Sequence, residues 1–65
     1  MQIDNDKLKR MIAVRNMTYK ECSLKAGLGS NYFPNMFKKN NSPRLRTIIS
    51  IAKALDCDPE QICKD

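Results

Sequence analysis

Between Thr18 and Met36 the chain carries a capped start, a central glycine and apolar residues at helical spacing, and this combination constrains the fold more than any other. In Thr18-Tyr19-Lys20-Glu21 the Thr hydroxyl can accept from the backbone N–H three residues on. The Glu carboxylate can reach back to the Thr N–H, completing a capping box that starts a helix. Gly27 lets the chain adopt a positive φ that ends that helix and turns sharply, with Leu28 placed to plug the turn. Phe33 and Met36 then share one helical face, while Ser30, Asn31 and Asn35 fall elsewhere on the surface. The segment reads as two short helices joined by a tight turn, the second with a greasy side and an amide-rich side.

Similar signals flank it. Asp4 suits the cap of a first helix over about 5–15, with Ile3 and Leu8 at the spacing of a hydrophobic staple. Leu8, Met11 and Ile12 face inward, Arg15 lies near the edge, and Asn16 suits a left-handed C-terminal cap before Met17 turns back inward. The second helix, about 19–26, offers Cys22 and Ala26 at i, i+4 and a small Ser23 where a neighbour can approach closely. Cys22 reads as a core hydrophobe rather than a reactive thiol.

The third helix should span about 30–38, but Pro34 has no N–H for the carbonyl of Ser30. That costs about 3 kcal/mol in mid-helix and less in the first turn. With Gly29 as a weak N-cap, the pattern predicts an irregular or late-starting first turn. Asn40-Asn41-Ser42-Pro43 is a turn signal, with Ser42 as N-cap and Pro43 as the first residue of a fourth helix. The inward set of that helix is Leu45, Ile48, Ile49, Ala52 and Leu55, widened by Ile51. Asp56 and Cys57 form the exit, and Asp58-Pro59-Glu60 opens a short fifth helix of about 59–63 that carries Ile62 inward. Five helices with short connections and no alternating strand pattern give a compact all-α fold, one domain over residues 1–65.

A chain of 65 residues buries only about 60% of the surface its unfolded form exposes, which leaves little room for a deep enzymatic cleft. The net charge of +5 conceals a sharper segregation. Residues 7–53 hold eleven Lys or Arg against Glu21 alone, whereas residues 54–65 hold four acids and Lys64. A block that basic points to a polyanion, either nucleic acid or an anionic membrane surface, against the plainer reading of a solvated face. No apolar run approaches the roughly 18 to 20 residues of a membrane span, and the charged start lacks the apolar core of a secretory leader. The chain therefore reads as soluble and cytoplasmic, with no membrane partner.

Cys22, Cys57 and Cys63 are odd in number and form no CxxC pair, so neither a disulfide framework nor a zinc knuckle is indicated. Histidine is absent, which removes Cys-His and Ser-His nucleophile systems and the commonest metal ligand together. No catalytic residue, metal, cofactor or small-molecule substrate is indicated.

Ser23, Gly27 and Phe33 stand where a known pattern has a small residue, a glycine four later and a branched apolar residue six after that. Ser42-Pro43, Leu45, Ile48-Ile49 and Ile51-Ala52-Lys53-Ala54-Leu55 continue it. On these residues the chain resembles the Cro/phage-repressor-like (XRE-type) helix-turn-helix family over about residues 7–63. The resemblance implies a lambda-repressor-like DNA-binding domain whose third helix lies in the major groove. It places Ser30, Asn31 and Asn35 at the base-reading positions. Asparagine suits that role, because its amide can donate to adenine N7 and accept from N6, a pair worth about 1 to 3 kcal/mol of discrimination.

Tyr19 matches a phosphate-contacting position at the start of the second helix, against the plainer reading of a surface or packing tyrosine, and Lys38, Lys39 and Arg44 match a basic loop that grips the backbone or enters the minor groove. Thr18, Glu21 and Gly27 shape the turn. Pro34 departs from the pattern, its ring placed either to touch a thymine methyl or to distort the helix, and Ile12 and Phe37 stand where the family often has an Arg and Glu ion pair. Well-packed apolar groups can replace such a pair without loss of stability.

These features favour a sequence-specific double-stranded DNA-binding transcriptional regulator, of phage or prophage repressor type. It would bind as a homodimer through the C-terminal region around Cys57 to Cys63, on half-sites about one helical turn apart. Cys63 there reads as an exposed thiol rather than half of an intermolecular disulfide. The competing reading is a protein-interaction module, antitoxin-like or an adaptor, against which the basic block argues. An enzyme is the least supported class, since nucleophile–base pairs and a phosphate-cradling glycine loop are missing.

Overall fold

Three helices of this chain end on the same backbone closure. The computed structural model describes residues 1–39 and 42–65 and contains α1 (Asn5–Val14), α2 (Tyr19–Lys25), α3 (Tyr32–Lys39) and α4 (Leu45–Ala54). After α1, α2 and α4 come Asn16 at φ 57, Gly27 at φ 78 and Asp56 at φ 52. In each case the next N–H reaches five residues back: Met17 to the Ile12 carbonyl at 3.1 Å, Leu28 to Ser23 at 2.8 Å and Cys57 to Ala52 at 3.0 Å. These bonds satisfy carbonyls that a helix end leaves unpaired and reverse the chain within a residue or two. A Cβ added at Gly27 would meet nothing within 4 Å, so the glycine serves its backbone angle and not space.

The helix starts are as specific. Asp4 Oδ1 accepts from the N–H groups of Asp6 at 3.0 Å and Lys7 at 3.2 Å, which opens α1. α3 begins two residues later than the spacing alone predicts. Tyr32 N–H bonds the Gly29 carbonyl at 3.0 Å in a turn, and the first bond of helical reach runs from Asn35 N–H to Asn31 O at 3.2 Å. Pro34 therefore sits third in the helix, where no intrahelical N–H is required, and its penalty is relieved.

α4 also starts late, and here Ser42 is not its cap. Ser42 Oγ instead accepts from the Ile3 N–H at 3.3 Å, 39 residues away, and Arg44 occupies the cap position in an extended conformation with no side-chain capping bond. The Asn40-Asn41 part of the predicted turn lies outside the described residues. The expected fifth helix is a single 3₁₀ turn over Pro59–Ile62, in which Asp58 N–H donates to Gln61 Oε1 at 2.9 Å. It stops there because Cys63 is already extended and pairs with Ile3 in an isolated antiparallel bridge. The described residues thus form four α-helices and one 3₁₀ turn, still an all-α fold.

Packing joins α1 and α4 to the 3₁₀ turn, and α2 to both α3 and α4. Leu8, Ile12, Cys22, Phe33, Ile48, Ile51, Leu55 and Ile62 form the centre of the core, each no more than 1% exposed. Two members of the predicted α4 stripe are not in it. Leu45 and Ile49 are 54% and 38% exposed, because α2 and the 3₁₀ turn cover the face carrying Ile48, Ile51, Ala52 and Leu55. Cys63, expected on the surface, is buried by its pairing with Ile3.

The chain ends are tied together. Asp4 N–H donates to Ile62 O at 2.9 Å and Lys64 N–H to Gln2 O at 2.8 Å, while Lys7 Nζ contacts Cys63 O at 3.1 Å and Asp65 Oδ1 at 3.0 Å. Arg15 performs a comparable task at the end of α4, donating from Nε to Leu55 O at 2.8 Å and from a terminal nitrogen to Asp56 O at 3.1 Å. A cation on the carbonyl end of a helix is favoured by both charge-assisted hydrogen bonding and the helix dipole. Arg15→Ala is expected to lower stability by about 1 to 2 kcal/mol in urea unfolding, and Arg15→Lys to recover only part of it.

Burial pushes the Cys22 thiol from 9.0 up to about 11, with Lys25 opposing the shift. The folded state therefore favours the protonated thiol. Its contribution is complete below pH 9 and is lost as pH rises through 11. The unfolding free energy from urea titrations should fall over that interval by on the order of 2 kcal/mol from this group, and Cys22→Ala should flatten the fall.

Candidate nucleic-acid interface

The turn that presents α3 is built from the residues at its two ends. Thr18 N–H donates to Glu21 Oε1 at 3.0 Å, and Glu21 N–H donates to Thr18 Oγ1 at 3.0 Å. Glu21 is the sole acid between residues 7 and 53, and this reciprocal cap engages its carboxylate locally. Ser23 is fully buried, and its Oγ donates to Tyr19 O at 2.9 Å while its carbonyl accepts the Leu28 N–H. A larger side chain at position 23 would stand where the turn folds back onto α2.

α3 is seated by aromatic packing. Phe33 is fully buried and Met36 nearly so, while Tyr32 and Phe37 are half-buried on either side. Phe33 and Phe37 stack at 6.0 Å, Tyr19 meets Phe37 edge-on at 5.3 Å, and Tyr32 meets Phe33 edge-on at 5.7 Å. Such offset and edge contacts add to simple area burial. Lys9 of α1 places its ammonium 4.8 Å from the Phe37 ring centroid, a cation–π contact. Ile12 is buried in the core, so apolar packing occupies both positions at which the resemblance implies an ion pair.

The opposite face of α3 is exposed. Asn35, Pro34 and Lys38 lie on it, and Asn31 joins them because the Asn35 N–H to Asn31 O bond continues the helical winding. Ser30 and Asn31 precede the helix and occupy its entry turn, both exposed. Lys38 and Lys39 lie exposed in the last turn of α3, and Arg44 is exposed before α4. Tyr19, the first residue of α2, is 38% exposed and has its ring fixed against Phe37. Asn31, Asn35 and Lys38 therefore share one face, Ser30 is exposed in the turn that leads into it, the Tyr19 ring packs on Phe37 of the same helix, and Arg44 follows in the chain before α4.

Three cations of the basic block serve the fold instead: Arg15 on the end of α4, Lys7 on the C-terminal residues and Lys9 on the Phe37 ring. Charge counting along a sequence does not separate these from free cations. Pro34, whose ring the sequence leaves either against a thymine methyl or distorting the helix, lies exposed on α3. It stands three residues from Asn31 and four from Lys38, so it shares their face.

The thiols have no reactive setting. Desolvation pushes Cys57 and Cys63 upward as well, despite the opposing charge of Arg15 beside Cys57. Among the described residues, no three Cys, Asp or Glu side chains gather to hold a metal ion, and no helix is long and apolar enough to cross a membrane.

No curated protein sequence matches the chain. Two solved structures are similar to it, one of PhpD with cadmium complexed with hydroethylphosphonate and one of native PhpD with cadmium atoms. Each has a TM-score of 0.79 and 25% identity, covering 100% of this chain and 14% of that chain. The chain thus spans about one seventh of the length of the proteins whose structures it resembles. Residues 7–65 match the Cro/C1-type HTH DNA-binding domain, and the chain belongs to that family.

Proposed function

We propose that this protein is a sequence-specific transcriptional regulator of double-stranded DNA, of the phage or prophage repressor kind, that lays α3 in the major groove. The observation that carries the reading is the exposed face of α3 and its entry turn, which combines amides with terminal lysines and has no acid. Asn31 and Asn35 read adenine edges, and Ser30 makes a less discriminating contact at the entry turn. Tyr19, Lys38, Lys39 and Arg44 hold phosphates and set the register.

Pairing of two copies supports specificity in this reading. The longest dimension of the molecule is 26 Å, shorter than the roughly 34 to 36 Å between half-sites one helical turn apart. A single copy reaches one half-site, and two copies multiply the discrimination. Pairing through the C-terminal region would use the polar edge of Asp58, Glu60 and Gln61, since Ile62 and Cys63 point inward.

The second reading is an interaction module that holds a partner protein, antitoxin-like or an adaptor. What favours it is that the same fold occurs as 14% of the much longer PhpD chain. Salt dependence separates the two. With Lys38, Lys39 and Arg44 on phosphates, log K against log salt should slope by roughly −2 to −3 per copy, and Lys38→Ala should reduce that slope by about 1. Negligible binding with no salt response would support the interaction module instead.

Base reading has its own test. Asn31→Ala and Asn35→Ala should each lose about 1 to 3 kcal/mol of preference for a selected site while keeping affinity for random DNA, measured by fluorescence anisotropy. Equal losses on both DNAs would reduce these residues to backbone positioning.

A further inference from the structure

We infer that Pro34 is a specificity-determining residue that reads the C5-methyl group of a thymine in the major groove; this rests on the DNA-binding reading above. Proline in mid-helix would be a defect, but α3 starts at Tyr32, and the third helical residue needs no N–H partner within the helix. The backbone therefore tolerates Pro34 without requiring it, since any good first-turn residue meets the same condition. Nor does the core require it, because the ring is exposed while Phe33 and Met36 are buried.

What Pro34 contributes is a rigid apolar surface on an otherwise polar face. Asn31 lies one turn before it, Asn35 beside it and Lys38 one turn after it, all exposed. Of the base-edge groups in the major groove, the thymine methyl is the one that an apolar side chain recognises. A proline ring loses no rotamer freedom on contact, so it can distinguish the presence of one methyl group. With asparagines reading adenine on either side, the geometry points to a half-site in which this thymine is adjacent to an adenine read by Asn31 or Asn35.

The test uses a site selected from a random DNA library by the unmodified protein. Each thymine of the half-site is replaced in turn by deoxyuracil, which removes only the methyl group, and affinity is measured for the unmodified protein and for Pro34→Ala. At one position the loss of the methyl should weaken the unmodified protein by about fourfold, the worth of one buried carbon, and leave Pro34→Ala unaffected. Effects at other thymines should be equal in the two proteins. Insensitivity of the unmodified protein at every thymine overturns the inference whatever the stability of the variant, and so does equal sensitivity in Pro34→Ala. Failure to enrich any site overturns the DNA-binding reading and this inference with it, an outcome distinct from an enriched site with no methyl effect.

Discussion

The position of α3 depends on the burial of Phe33. Its ring is fully enclosed, stacks on Phe37 and meets Tyr32 edge-on, and α2 is the principal partner of the helix. Without that anchor an eight-residue helix containing a proline would not persist, because isolated helices shorter than roughly 12 to 15 residues are marginal in water. The outward display of Asn31, Pro34 and Asn35 follows directly, since the inward direction of Phe33 and Met36 leaves those positions on the surface.

Electrostatics divides the chain into working parts. The acid of the basic block is absorbed by the Thr18 cap, and two of the cations close the fold at Leu55 and Cys63. The lysines at the end of α3 have a double effect. They complement the negative end of the helix dipole and supply positive charge beside the exposed amides. A surface assembled in this way favours a polyanionic partner before any individual contact is considered.

Local signals made much of the fold legible. Asp4, Thr18 with Glu21, Asn16 and Gly27 act through bonds spanning two to five residues, so their chemistry can be read without knowing what lies across the molecule. The delay in α3 was also visible in outline, because Pro34 and Gly29 conflict with a helix starting at residue 30. The beginning of α4 was not visible, since Ser42 has the composition of a cap but gives its hydroxyl oxygen to Ile3. The same holds for Cys63, which a terminal position would leave in solvent and a bridge to Ile3 encloses.

The candidate surface shows the same division. Helical spacing placed Asn35 away from Phe33 and Met36, and composition marked the region as basic. Packing decided that Leu45 and Ile49 face solvent and that Arg15 and Lys7 serve the fold. By itself the sequence determined the caps at Asp4 and Thr18, the left-handed closures at Asn16 and Gly27 and the all-α class, because each arises from interactions between near neighbours in the chain. Only the tertiary structure decided which cations the fold engages and which face of α4 is covered, because those outcomes depend on partners as far apart as Ile3 and Ser42 or Arg15 and Leu55.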